Sequence, residues 1–291
     1  MSTRATVSSQ RVFSTAGAPG SKGFGAMLRS WRQLRRVSQL DLSLECAVSQ
    51  RHLSFLESGR ARPSRQMVLH LAEALEVPLR DRNGMLGAAG FAAEFRESAL
   101  EGAAMEPVRE ALLRMLRFHE PFPAVVVDRD FGLRLANRAF DRLLSLLGDP
   151  DEIWRQCCGE GPRNILLLTL SARGARAAIG NFDVVAPVML NRAWHEAVAR
   201  GGEISPALRA LRDDPSLAAH WRRSDAIEHA MPVVPLTLQV GGQSLSLFSM
   251  ISTFGTPYDV TTDELRVESF FPADAASEQT LRALADAESR A

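Results

Sequence analysis

The chain has 291 residues, 46% hydrophobic and 23% charged. This composition excludes disordered, collagenous and membrane-embedded chains, and at about 100–200 residues per domain the length points to two domains. The 34 basic and 34 acidic side chains cancel, yet residues 1–90 carry 13 basic against 6 acidic and residues 91–291 carry 21 against 28, which suggests a basic module for a polyanion followed by an acidic one. Cys46, Cys157 and Cys158 are too few for a disulfide framework and show no zinc spacing with histidine, so a reducing compartment and no metal are expected. No run approaches the ~18 apolar residues of a membrane span and the start lacks a signal-like stretch, so the expectation is a cytoplasmic protein without membrane association.

Residues 1–22 are small and polar without apolar period and read as a flexible arm. From Phe24, the residues Met27, Leu28, Trp31 and Leu34 recur at helical spacing. Four short helices follow at Gln39–Glu45, Gln50–Ser58, Ser64–Leu75 and Arg80–Gly87, with Ser38, Ser49 and Ser64 placed as caps. Residues 23–90 thus form a five-helix, all-α domain, and 91–106 read as a linker. Pro107 opens an amphipathic helix to Phe118, suited to linking or dimerising. Residues 123–136 read as a hairpin, with Asn137 capping a helix at Arg138–Leu147. Residues 164–223 read as helices broken at Gly180, Gly201-Gly202 and Asp214-Pro215. A second hairpin spans Val233–Thr253 around Gly241-Gly242, then come a strand at Leu265–Phe271 and a helix at Ser277–Ala287 within a tail, 276–291. Strands at both ends of a helical insert make residues 107–275 an α+β domain.

The informative stretch runs from Ser38 to Ser64. Leu42, Val48, Leu53 and Leu56 are spaced so that two short helices meet steeply across a tight Glu45-Cys46-Ala47 joint. Turning Leu53 and Leu56 inward leaves Gln50, Arg51, Ser54 and Phe55 outward, where a recognition helix meets base edges. Gln pairs with adenine, Arg with guanine, and Phe touches a thymine methyl.

These residues resemble the lambda-repressor-like, XRE-type family of helix-turn-helix regulators. That family opens its second helix with a phosphate-fixing Gln, matched by Gln39, and closes the recognition helix with Glu-x-Gly-x-x-x-Pro, matched from Glu57 to Pro63. It also pairs a first-helix Arg with that Glu. Arg32 holds the matching place, so Arg32 and Glu57 are assigned to structure. Arg60, Arg62 and Arg35 flank the reading helix and are assigned to phosphate, and Ser49, at its start, joins the DNA-facing set.

Residues 107–271 resemble the ligand-binding domain of MmyB-like regulators, a PAS-related α+β unit, in the Pro123–Asp128 run, in Leu135-Ala-Asn137-Arg-Ala-Phe140, in Asn164-Ile-Leu166 and in Trp194 and Trp221. The resemblance implies a small apolar effector such as a fatty acid. Asn137, Phe140, Leu144, Leu167, Trp194 and Trp221 are the candidate ligand residues. Cys157-Cys158 lacks a cation pattern that would favour a thiolate and is read as inert. The chain has no catalytic set, phosphate loop or cofactor motif. The reading is a sequence-specific DNA-binding transcription regulator, not an enzyme and without a cofactor, acting as a homodimer on a double-stranded operator. The alternatives are an enzyme or a protein-interaction module fused to a DNA-targeting head.

Overall fold

The computed structural model describes residues 23–202, 204–224 and 233–288; the expected arm, 1–22, lies outside the described residues. The described residues divide into two compact units, 23–75 with 84–92 and 76–83 with those from 93 onward.

The first unit holds α1 (Phe24–Leu34), α2 (Gln39–Glu45), α3 (Gln50–Glu57), α4 (Arg65–Ala74) and the later residues of α5 (Leu79–Ala88). Three hydroxyls start three of these helices. Ser38 accepts from the Asp41 amide at 3.1 Å, Ser49 from His52 at 3.1 Å and Ser64 from Met67 at 3.2 Å, each cap contributing about 1 kcal/mol. Leu28, Trp31, Leu42, Leu53, Leu56, Val68 and Leu71 form its interior, each worth about 1.5–3 kcal/mol on full burial. α1 and α3 approach closely at Gly25, where a Cβ would lie 2.4 Å from the Leu56 carbonyl oxygen. No side chain fits there.

In the second unit α6 (Glu106–Phe118) precedes β1 (Ala124–Val127) and β2 (Leu133–Ala136). Helices α7 (Arg138–Ser145), α8 (Pro150–Cys158), α9 (Ile165–Leu170), α10 (Phe182–Ala199), α11 (Pro206–Asp213) and α12 (Ala218–Ser224) follow. The chain then returns through β3 (Leu236–Val240), β4 (Gln243–Thr253), α13 (Val260–Glu264), β5 (Arg266–Pro272) and α14 (Ala275–Glu288). The strands make one sheet in the order β2-β1-β5-β4-β3, and every neighbouring pair is antiparallel. The architecture is an all-α head followed by an α+β domain.

Period-two alternation gives the sheet two dry faces. Ala124 and Val126 of β1, with Val267 of β5, pack with Leu112 and Leu116 of α6. Val125 and Val127 point the other way, to Phe140 and Leu144 of α7, Trp154 of α8 and Ile165 and Leu168 of α9. The β3–β4 turn uses Gly241 and Gly242 at φ +57° and +79°, the left-handed pair that a two-residue hairpin requires.

Three features differ from the sequence expectations. Residues 93–106 belong to the second unit and do not behave as a linker. Leu100 and Met105 are buried beside α6, and the Ser98 amide donates to the Asp259 carboxylate. Residues 76–83 also group with this unit, because Asp263 accepts from the Leu79 amide at 3.1 Å and Glu264 accepts from Arg80 at 2.6 Å. Finally, α8 and α13 were not anticipated, although Asp149 and Asp259 cap them.

Asn137 ties three elements together. Its Oδ1 accepts from the amides of Ala124 and Phe140 at 2.9 and 3.1 Å, and its Nδ2 donates to the Phe122 and Leu116 carbonyls at 2.8 and 3.3 Å. Every bond the side chain can readily make is closed inside the fold. Asn137→Ala therefore leaves buried groups unpaired, and should lower the unfolding free energy by about 3 kcal/mol in urea titrations followed by tryptophan fluorescence. An unchanged midpoint would show that these bonds are dispensable.

Candidate nucleic-acid interface and ligand cavity

The joint between α2 and α3 turns at Ala47, which takes a left-handed φ of +52°. The turn delivers α3 with Leu53 and Leu56 buried and Gln50 and Arg51 exposed. Ser49, also exposed, is occupied as the cap of His52, while Ser54 and Phe55 are half-buried. The Arg51 guanidinium lies over the Phe55 ring, 5.3 Å from its centroid, which orients a long cation on the outward face. Arg60 and Arg62 are exposed just beyond α3. Arg35 is more constrained. Its Nε donates to the Leu75 carbonyl at 2.9 Å and its guanidinium sits over Trp31.

Behind this surface lies an ionic hub. Arg32 donates from Nε and Nη2 to the two Glu57 oxygens, at 2.6 and 3.0 Å, and Gln39 Nε2 donates to Oε2 at 2.7 Å. The Arg32 and Glu57 side chains are only 12% and 5% exposed. Burial alone would push the Glu57 carboxyl up, but the bonds from Arg32 and Gln39 and the charge of Arg32 outweigh it and hold the group below the usual carboxylate range. Gln39 thus gives one amide hydrogen to Glu57. Gly25 is the determinant that the sequence reading missed, since a close backbone approach leaves no local pattern in the chain.

In the second unit two neighbouring cavities share the walls Ile165, Thr169, Leu236, Leu247 and Phe270. One, of about 70 Å³, is almost wholly apolar and is lined by Phe140 and Leu144 among others. The second, of about 140 Å³, adds Val185, Val188 and Met189 of α10 and brings in Arg192, Ser249 and Glu268. Of the six residues expected to contact a ligand, only Phe140 and Leu144 line these cavities. Leu167, Trp194 and Trp221 pack in a helical core with Leu190, Leu208 and Leu211; the two indoles meet edge to face at 6.0 Å, and Trp221 donates to the Leu211 carbonyl. Asn137 is closed in its structural bonds. Apolar residues at helical spacing serve a core and a cavity equally well, so sequence does not separate the two roles.

The Cys157 and Cys158 sulfurs lie 3.5 Å apart. Burial, followed by the contact with Cys158, pushes the Cys157 thiol above its ordinary range, which disfavours the reactive thiolate.

A helix-turn-helix family model matches residues 28–81, spanning α1 to the first residues of α5. The model of the MmyB-like transcription regulator ligand binding domain matches residues 108–284, from α6 to α14. The chain belongs to the MmyB-like transcription regulators. It carries a helix-turn-helix domain followed by a MmyB-like ligand-binding domain. No curated protein matches it. Among solved structures, "Structure of an RNA-binding Light-Oxygen-Voltage Receptor" shares 13% identity at a TM-score of 0.24, covering 92% of this chain. The chain spans 64% of the length of that structure, a likeness too slight to bear on fold or function. Among the described residues no helix is long and apolar enough to cross a membrane.

Arg32→Ala strands the Glu57 carboxylate and should cost about 3 kcal/mol in stability of the MmyB-like regulator's head. Because the folded-state pKa of Glu57 is lowered, its contribution is present above the unfolded value and lost as pH falls through the folded one. Acid titration of the melting temperature should therefore show a shallower acid limb in Glu57→Gln than in the wild type. Parallel limbs would remove Glu57 from the account.

Proposed function

We propose that the protein reads a specific operator through α3 and that a small apolar effector in the cavity between the sheet and α7, α9 and α10 regulates this binding. The observation that carries the DNA half is the exposure of Gln50 and Arg51 at the first turn of a helix whose other face is locked by the Glu57 hub. In this reading Gln50 and Arg51 contact base edges, with Ser54 and Phe55 beside them. Arg60 and Arg62 contact phosphate, with Arg35, Gln39 and Ser49 fixing the register. The free hydrogen of the Gln39 amide retains a donor for a phosphate oxygen.

The ligand half rests on the apolar walls around Phe140 and Leu144, which suit an alkyl chain, a fatty acid being the class that the family resemblance implies. The cavities are smaller than the several hundred Å³ of a typical ligand site, so binding involves side-chain rearrangement. Two copies act together on DNA. A single head offers little interface, and α6 leaves Leu113, Met115 and Phe118 exposed as a surface for a second copy. The protein works by binding and not by catalysis; an enzyme or interaction module behind a DNA-targeting head is the competing reading.

The test is footprinting on operator DNA selected from genomic fragments. Protection should cover two half-sites about one helical turn apart. Gln50→Ala or Arg51→Ala should cost about 1–3 kcal/mol and relax discrimination at one base pair, whereas Arg60→Ala should weaken binding to all sequences alike and flatten the salt dependence. Equal losses on operator and random DNA for Arg51→Ala would remove α3 from base reading, and failure to select any sequence would favour the competing reading.

A further inference from the structure

The polar floor of the larger cavity has an unusual composition. Arg192 of α10 donates Nε to Glu196 at 3.0 Å, and its Nη1 lies 3.7 Å from the Glu268 carboxylate of β5. Its Nη2 is buried and has no partner among the described residues. Glu268 is 8% exposed, and that 3.7 Å ion pair, beyond hydrogen-bond length, is its side chain's charge contact. Both residues line the cavity, and the Arg192 guanidinium, which also lies over the Phe131 ring at 5.4 Å, keeps one donor without a hydrogen-bond partner beside the under-bonded Glu268 carboxylate.

The remaining groups balance this pair without adding charge. The charged neighbours are Glu196 on α10 and Arg266 on β5, which bond to each other. Among the described residues, the polar groups that α9 and β4 bring to the cavity are the hydroxyls of Thr169 and Ser249, and Thr169 already donates to the Ile165 carbonyl. Arg192 and Arg266 thus face Glu196 and Glu268, and Arg200, which interacts with Glu196 and Arg266, is itself paired with Asp130 at 3.6 Å, so no net charge is left over. An incoming carboxylate would satisfy Arg192 Nη2 but place a third anion against Glu268 with no cation left to answer it, in surroundings where like charges repel strongly. A head group that both accepts and donates avoids that cost. Its oxygen takes the Arg192 hydrogen and its hydroxyl hydrogen goes to Glu268.

We propose that the cavity takes an amphiphile whose head is uncharged and both donates and accepts a hydrogen bond, an alcohol or an undissociated acid, bridging Arg192 and Glu268. The inference rests on the apolar-effector reading above and adds head-group selectivity to it. Arg192 and Glu268 are the specificity-determining residues, and the alkyl tail lies along Phe270, Leu236 and Phe140.

Calorimetric titration of the full-length protein with 1-decanol and with decanoic acid, between about pH 6 and 8, tests this. The alcohol should bind with an affinity independent of pH, while the acid should weaken by about tenfold per pH unit, following its undissociated fraction. Glu268→Gln removes the opposing anion and leaves Arg192 in excess. In that variant, checked for an unchanged circular dichroism spectrum, the acid should bind with a flattened pH profile and gain on the alcohol. Decanoate bound to the wild type more tightly than decanol, with a flat profile, would overturn the neutral-head proposal and leave the apolar-effector reading standing. If neither probe binds at any pH, the effector reading fails and this inference fails with it.

Discussion

Glu57 ends α3 with one-twentieth of its side chain exposed, and a carboxylate in that position must find its counter-charge inside the chain. It finds it on two other helices. Arg32 reaches from α1 with both prongs of its guanidinium, and Gln39 reaches from the first residue of α2. Apolar burial is non-directional, and the serine caps fix where helices begin rather than how they cross. The bidentate pair is directional. Together with the close approach that Gly25 permits, it refers α1, α2 and α3 to one point and so sets the attitude at which Gln50 and Arg51 face outward.

The second unit meets the same constraint differently. Its strands come from two distant stretches, and β5 joins them by pairing with β1 on one side and β4 on the other. Alternation along β5 then divides the labour, with Val267 packing towards α6 and Glu268 and Phe270 lining the cavity. A buried glutamate in mid-sheet is costly unless answered, and here Arg192 answers it at a distance that leaves hydrogen-bonding capacity unused. A cavity walled by aliphatic and aromatic groups with one such polar point is the form that small-molecule sites take.

Much of this was legible in the sequence because the signals are local. Ser38, Ser49, Ser64 and Asn137 announce helix starts, and Gly241-Gly242 announces a hairpin turn; each acts within three or four residues of itself. The Arg32–Glu57 pair was legible only through family resemblance, since nothing nearby says that residues 25 apart will meet. What was not legible depends on packing. Asn137 was grouped with ligand contacts, yet its four bonds lie between α6, β1 and α7. Trp194 and Trp221 were assigned to a cavity and instead fill a core. The Arg192–Glu268 floor joins residues 76 positions apart, and α13 is a five-residue helix too short to show a period. Leu100 and Met105, scattered in a stretch of small residues, gave no sign that the supposed linker was packed.

The claim on which the account turns is that effector and operator are coupled, and linkage requires the coupling to be reciprocal. The direct measurement is a pair of titrations on the full-length protein: operator affinity by fluorescence anisotropy with and without saturating 1-decanol, and 1-decanol affinity by calorimetry with and without operator. The account predicts that both affinities change by the same factor, about fivefold or more. An operator affinity left unchanged by saturating, demonstrably bound alcohol would contradict it, because a ligand indifferent to the two states shifts nothing.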